Sequence, residues 1–176
     1  MKSIAESAGR ELRWGQPSAL RMEYELREGE EQIATLRFKS SFGTFATAES
    51  ADGCWTFKRV GFWQTRVSVR ACGSESETAS FENNTWNGGG TLKFPDGRKF
   101  PASTNFWQTR YDFRTETGQT LFRYARMGGM LQKSASVVIE HQSEYITELP
   151  WMVILGFYLV VMMAMDAASM SSITMG

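Results

Sequence analysis

The feature that most constrains this chain is a continuous apolar run near its C-terminus, residues 149–165 (LPWMVILGFYLVVMMAM). A helix that is apolar on every side is unstable on a soluble surface, so protein or lipid must surround it. The chain before the run reads mostly as short β-strands. What surrounds the run therefore decides the fold.

From Ala19 onward, apolar and polar residues alternate in short segments that turn residues separate, which is typical of antiparallel strands. Asp52-Gly53 and Asp96-Gly97 are strong hairpin-turn signals. The pattern predicts about twelve strands, followed by one helix over residues 147–166. We expect a polar N-terminal arm over residues 1–18 and a C-terminal tail over 167–176.

An internal repeat supports the β interpretation, because residues 62–66 (FWQTR) recur unchanged as residues 106–110. Alternation predicts that both copies are strands with one face turned into the core. The predicted inward set is Trp63, Thr65, Val67 and Val69 in the first copy, and Trp107, Thr109, Tyr111 and Phe113 in the second. The predicted outward set is Gln64, Arg66 and Arg70, and Gln108, Arg110 and Arg114.

Length and flanks favour protein over lipid as the surroundings of the apolar run. Its 17 residues fall short of the roughly 20 that usually span a bilayer. Glu144 and Glu148 precede the run and Asp166 follows it, whereas a transmembrane helix usually has Lys or Arg close to one end. A twelve-stranded barrel has a radius of roughly 12 Å, which accommodates one helix of about 10–12 Å diameter.

We therefore predict a mainly β fold, a closed antiparallel barrel of about twelve strands around a hydrophobic C-terminal helix. Closure also removes exposed sheet edges. Two alternatives stay open at this point. One is a single transmembrane helix over residues 149–165, and the other is a sandwich with a packed helix.

The run of short strands, the strand 134–140 (SASVVIE) and the helix that follows it resemble the tubby C-terminal-like superfamily. Within it, they resemble the LURP-one-related and phospholipid scramblase-like proteins. The resemblance is architectural and covers residues 19–166. It implies a twelve-stranded barrel around a central helix, and a role at phosphoinositides or other phospholipids. The chain lacks the cysteine-rich cluster and the acidic calcium loop of the scramblases, so scrambling and calcium dependence are not implied.

The outward arginines are the candidate ligand-binding residues, because guanidinium groups fit phosphate oxygens. We expect anionic phospholipid headgroups as the ligand, bound by Arg66, Arg70, Arg110 and Arg114, with Gln64 and Gln108 beside them. The alternative is a solvated barrel exterior, in which the arginines pair with carboxylates such as Asp112.

Nothing in the sequence predicts an enzyme, a metal site or a cofactor. His141 is the only histidine, and spacing identifies no nucleophile or metal partner for it. Net charge is zero, with 19 residues of each sign, so charge does not indicate a nucleic-acid partner. Cys54 and Cys72 are expected to be free thiols in a reducing compartment. Because no hydrophobic signal segment is evident near the N-terminus, we expect a cytoplasmic protein, peripheral at a membrane surface.

Overall fold

Twelve antiparallel strands close into a barrel around one long helix, in a computed structural model that describes residues 1–61, 65–84, 89–105, 107–128 and 133–173. The elements in chain order are β1 (Glu11–Gly15), β2 (Glu23–Glu28), β3 (Glu31–Phe38), β4 (Ala46–Ser50), β5 (Gly53–Val60), β6 (Arg66–Ala71), β7 (Ala79–Asn84), β8 (Gly89–Lys93), β9 (Lys99–Thr104), β10 (Tyr111–Arg114), β11 (Thr120–Gly128), β12 (Ser134–Ile139) and α1 (Leu149–Ile173). Short 3-10 turns cover Ala5–Ser7 and His141–Ser143.

Each strand pairs with its neighbours in the chain, and β1 closes the ring against β12. The closing register sets Trp14 opposite Ala135. The predicted fold class is therefore confirmed. Strand β1, which closes the ring, comes from residues 1–18, the segment predicted as a polar arm. Leu12 and Trp14 of β1 are buried in the core, whereas Glu11 and Arg13 are exposed.

The apolar run lies inside the barrel, as predicted. Every residue from Leu149 to Met162 is buried, and aromatic rings from the wall pack against the helix. Trp14 stacks on Phe157 at 4.6 Å between ring centroids, and Phe38 stacks on Tyr158 at 5.5 Å. By length and composition alone, α1 also qualifies as a membrane span, although 56% of its most apolar window is buried inside the protein.

The helix continues beyond its predicted end and leaves the barrel. Residues 166–172 are helical and exposed, so the segment predicted as a tail extends α1 to Ile173. Ion pairs fix the helix to the wall on both sides of its buried part. Arg98 contacts Glu148 at 2.7 Å, and Arg59 binds the Asp166 carboxylate with two hydrogen bonds of 2.9 and 3.0 Å.

Strand β11 makes a close approach to α1 at Gly156. The Tyr124 hydroxyl donates a hydrogen bond to the Val153 carbonyl of the helix. A Cβ atom added to Gly156 would lie 2.5 Å from Cε2 of Tyr124 and 3.2 Å from Cε2 of Phe122. Both rings belong to buried side chains, so they have little room to yield.

We predict that Gly156→Ala destabilises the protein by about 1–3 kcal/mol, because the added methyl group overpacks the core against Tyr124. Helix propensity alone predicts the opposite sign, since Ala is favoured over Gly by about 1 kcal/mol inside a helix. Urea unfolding measures the difference. The matched control is Ala167→Gly on the exposed part of α1, which should cost only the propensity term. A more stable Gly156→Ala variant would contradict the close approach.

Candidate anion-binding site

The candidate site is a group of three arginines around one buried carboxylate on the outer wall of β10 and β11. Tyr111 and Phe113 point into the core, so Asp112 between them points outward. Asp112 is nevertheless only 2% exposed, and it lies directly across the ladder from Arg123. We call Asp112, Arg110, Arg114 and Arg123 the Asp112 cluster.

Hydrogen bonds fix the geometry of the Asp112 cluster. Arg123 binds the carboxylate through Nε at 2.8 Å and Nη2 at 3.0 Å, which is a bidentate contact. Arg114 Nη2 donates to Oδ2 at 3.0 Å, and Arg110 Nε lies 3.7 Å from Oδ1. The Nε atom of Arg114 is buried and finds no hydrogen-bond partner within the described residues. Three arginines face Asp112, and the charge of Glu140 also acts on Arg123, so the local net charge is about +1.

The arginines keep Asp112 ionised. Burial alone would raise the pKa of the Asp112 carboxyl, but hydrogen bonds from Arg123 and Arg114 and the charge of Arg110 outweigh that effect. The net result is a pKa below the ordinary value for aspartate. The carboxylate therefore stays charged at neutral pH and holds the guanidinium groups in place.

The other predicted arginines, Arg66 and Arg70, lie elsewhere on the wall. Both are on β6, and each faces its own carboxylate, Arg66 with Glu77 at 2.7 Å and Arg70 with Glu75 at 3.9 Å. Four strand spacings separate β6 from β10, which is about 19 Å along the wall. The structure therefore does not bring the four arginines into one site.

Of the two glutamines predicted to bind ligand, Gln108 lies within the described residues and Gln64 does not. Gln108 is exposed in the β9–β10 loop with a φ of 53°. It lines a cleft of about 160 Å³ beside α1, together with Met127 and Lys133. Gln64 lies outside the described residues, as does Trp63, whose inward orientation stays a prediction.

The second copy of the repeat corrects the prediction for Trp107. This side chain is 78% exposed, and β10 begins only at Tyr111. The reason is a turn at Asn105, whose Oδ1 accepts hydrogen bonds from the backbone N–H groups of Thr109 at 2.8 Å and Arg110 at 3.0 Å. Asparagine side chains favour such turns over strand pairing. The inward alternation therefore holds for Tyr111 and Phe113 but not for Thr109, which is exposed like Trp107.

The expectation of free thiols is also wrong, because Cys54 and Cys72 form a disulfide. Trp55 of β5 pairs with Ala71 of β6, so the next pair outward sets Cys54 opposite Cys72, with their Cα atoms 5.4 Å apart. Counting cysteines gave no sign of this pairing. The pairing depends on the register of β5 against β6, and the sequence pattern does not determine that register.

Sequence reasoning missed Arg123, the residue with the best contact to Asp112. Its alternation with Phe122 and Tyr124, both buried, predicts an outward side chain. Its place opposite Asp112 depends on the register of β10 against β11, which includes a shift between Phe113 and Arg114. Within the described residues, no group of three or more His, Cys, Asp or Glu side chains is placed to hold a metal ion.

No protein-family model, curated protein or solved structure matches this chain.

We predict that Asp112→Asn destabilises the protein by about 1–3 kcal/mol at pH 7, because three arginines lose their shared ionised acceptor. The folded-state pKa of Asp112 is depressed, so its contribution is present above the unfolded pKa of about 3.9 and is lost as the pH falls through the folded value. Urea unfolding of both proteins between pH 7 and pH 2 should therefore show a gap that closes in acid. A gap independent of pH would contradict the charge argument.

Proposed function

We propose that this protein is a non-enzymatic binding module that holds anionic phospholipid headgroups through arginines on its barrel wall. The observation that carries the proposal is the Asp112 cluster, where three guanidinium groups share one carboxylate. We also propose membership of the tubby-like superfamily, which the barrel around a central apolar helix supports. The same architecture leaves the core filled by side chains rather than by a ligand.

The arginines of the Asp112 cluster have N–H donors that Asp112 does not use and that could bind a phosphate group. Each guanidinium carries five N–H donors, and one carboxylate engages only a few of them. The side chains of Arg110, Arg114 and Arg123 are between 39% and 49% exposed, so remaining donors are open to solvent. Because Asp112 already orders the guanidinium groups, a phosphate would bind with a smaller loss of side-chain entropy.

Arg66 and Arg70 have a secondary role in this proposal. Each faces one glutamate of opposite charge, so the pair of strands around β6 offers little uncompensated positive charge. Gln108, and Gln64 by sequence analogy, would act as hydrogen-bonding neighbours of the arginines. Arg66 and Arg70 each face a separate glutamate, whereas Arg110 and Arg114 share Asp112. Variants of the first pair can therefore serve as controls for variants of the second.

A membrane-anchored protein is the second candidate, and the length and apolarity of α1 favour it. In that alternative, residues 149–165 cross the bilayer. The burial of residues 149–162 among barrel side chains supports the first candidate, because removing the helix would expose the whole inner surface of the barrel to water.

The test is co-sedimentation with phosphatidylcholine vesicles that contain 30% phosphatidylserine or phosphatidylinositol bisphosphate. Each basic residue near an anionic surface contributes about 1 kcal/mol. The double variant Arg110→Gln/Arg114→Gln should therefore bind about 10- to 30-fold more weakly. The matched control, Arg66→Gln/Arg70→Gln, removes the same charge and should lose less than about threefold. Urea midpoints check that both variants are folded.

Equal losses in the two variants would contradict a specific role for the Asp112 cluster. An absence of wild-type binding at low salt would contradict the proposed function. Protein that requires detergent for recovery in the absence of vesicles would support the membrane-anchored alternative.

We further propose that the barrel acts at the cytoplasmic face of a membrane, where anionic lipids are concentrated. The Cys54–Cys72 disulfide weighs against this location, because disulfides are rare in the cytosol. Protease treatment of intact and of permeabilised cells provides the test, and we expect the protein to be cut only after permeabilisation. Cleavage in intact cells would contradict the cytoplasmic location.

A further inference from the structure

The two ends of the barrel differ sharply in charge. Strand directions place the described residues of the connecting segments, 16–22, 39–45, 61, 65, 105, 107–110 and 133, at the end where α1 emerges. By sequence, these segments contain four basic residues, Arg21, Lys39, Arg110 and Lys133, and no acidic residue. We call the described residues of these segments, with the emerging end of α1, the exit rim.

The opposite end is acidic. Its connecting segments are residues 29–30, 51–52, 72–78, 94–98, 115–119 and 140–148. By sequence, they hold nine acidic residues and one Arg or Lys, Arg98, and residues 1–10 at the same end add Lys2, Arg10 and Glu6. Although the net charge of the chain is zero, basic side chains predominate at one end of the barrel and acidic side chains at the other. An anionic surface would attract the exit rim and repel the opposite end.

The exit rim also exposes large apolar side chains. Leu20 is 93% exposed, Phe42 is 97% exposed and Trp107 is 78% exposed, each in a different loop. Met170, on the emerging part of α1, is 72% exposed. At the opposite end, the described residues that share this property are Met1 and Tyr145. Exposed apolar side chains that basic residues surround are typical of surfaces that enter the headgroup layer of a membrane.

The apolar side chains are spread around the ring. Phe42 follows β3 and Trp107 follows β9, so six strand positions separate them in a ring of twelve, and they lie on opposite sides. Leu20, which follows β1, lies between them on one side. Because the three side chains lie at one end of the barrel but on different sides of it, a flat bilayer can meet all of them, whereas a peptide groove would require them to lie side by side.

We propose that the exit rim docks end-on onto an anionic bilayer, with Leu20, Phe42 and Trp107 inserted among the headgroups and the basic loop residues facing lipid phosphates. This inference rests on the proposed function and gives it an orientation. Arg110 belongs both to the exit rim and to the Asp112 cluster, and Asp112 follows it by two residues, or about 7 Å along the strand. End-on docking therefore brings the near side of the Asp112 cluster to the level of the headgroups.

The experiment compares the triple variant Leu20→Ser/Phe42→Ser/Trp107→Ser with wild type on vesicles of phosphatidylcholine with 30% phosphatidylserine. The variant keeps every charge and replaces exposed apolar side chains, so we expect it to fold and to bind about 10- to 100-fold more weakly. Tyr145→Ser, at the opposite end, is the matched control and should bind like wild type. Circular dichroism and urea midpoints confirm the folded state.

Brominated phosphatidylcholine then reports insertion directly. Emission from wild type should be quenched on vesicles with brominated acyl chains, and the quenching should be weaker in Trp107→Phe, which keeps the five other tryptophans. Full binding by the triple variant, or unquenched wild-type emission, would overturn end-on insertion while the arginine contacts of the proposed function remain. A wild type that does not bind these vesicles at all would overturn both.

Self-association through the exit rim is the remaining outcome of the test. Sedimentation velocity of wild type without lipid should show a monomer at micromolar concentration. A dimer that the triple variant converts to a monomer would assign the exposed apolar side chains to an interface between copies and would overturn the lipid inference.

Discussion

The enclosure of an apolar helix by a closed sheet is the constraint on which the rest of this structure depends. Residues 149–162 have no polar face, so the wall must surround them completely. A wall of twelve strands provides roughly the lumen that one helix and a layer of side chains fill. Trp14, Phe38, Phe157 and Tyr158 complete that layer by ring contacts. The barrel and the helix are therefore stable only together.

Enclosure also decides where charge can be placed. The inward positions of the strands hold apolar and aromatic side chains that pack in the core, so charged side chains lie on the outer wall and at the two ends. Asp112 shows the result on the wall: a carboxylate between two core aromatics becomes buried because three arginines cover it. At the ends, Glu148 and Asp166 bind Arg98 and Arg59. The pKa of Glu148 lies below its ordinary value, chiefly because Arg98 donates to it.

Periodicity predicted the fold well because it reports burial, and burial is what the barrel imposes on each strand. It failed where a local interaction competes with strand pairing. Asn105 binds its own backbone and turns Trp107 to the surface, against the alternation. Periodicity also says nothing about register. The disulfide of Cys54 with Cys72 and the contact of Arg123 with Asp112 both depend on which residues lie opposite each other. The site was therefore only half predictable: Arg110 and Arg114 follow from the pattern, and Arg123 does not.

Helix orientation has an electrostatic consequence for the exit rim. The macrodipole of α1 places roughly half a negative charge at its C-terminal end, and Asp166 adds a full one. Alone, this end of the helix would repel an anionic surface. Arg59 neutralises Asp166 through two hydrogen bonds, and the connecting segments add four basic residues. The wall thus reverses the sign of the field that the enclosed helix would present. This reversal is the electrostatic basis of the proposed end-on docking, because an anionic bilayer would attract a positive rim and repel the helix end alone.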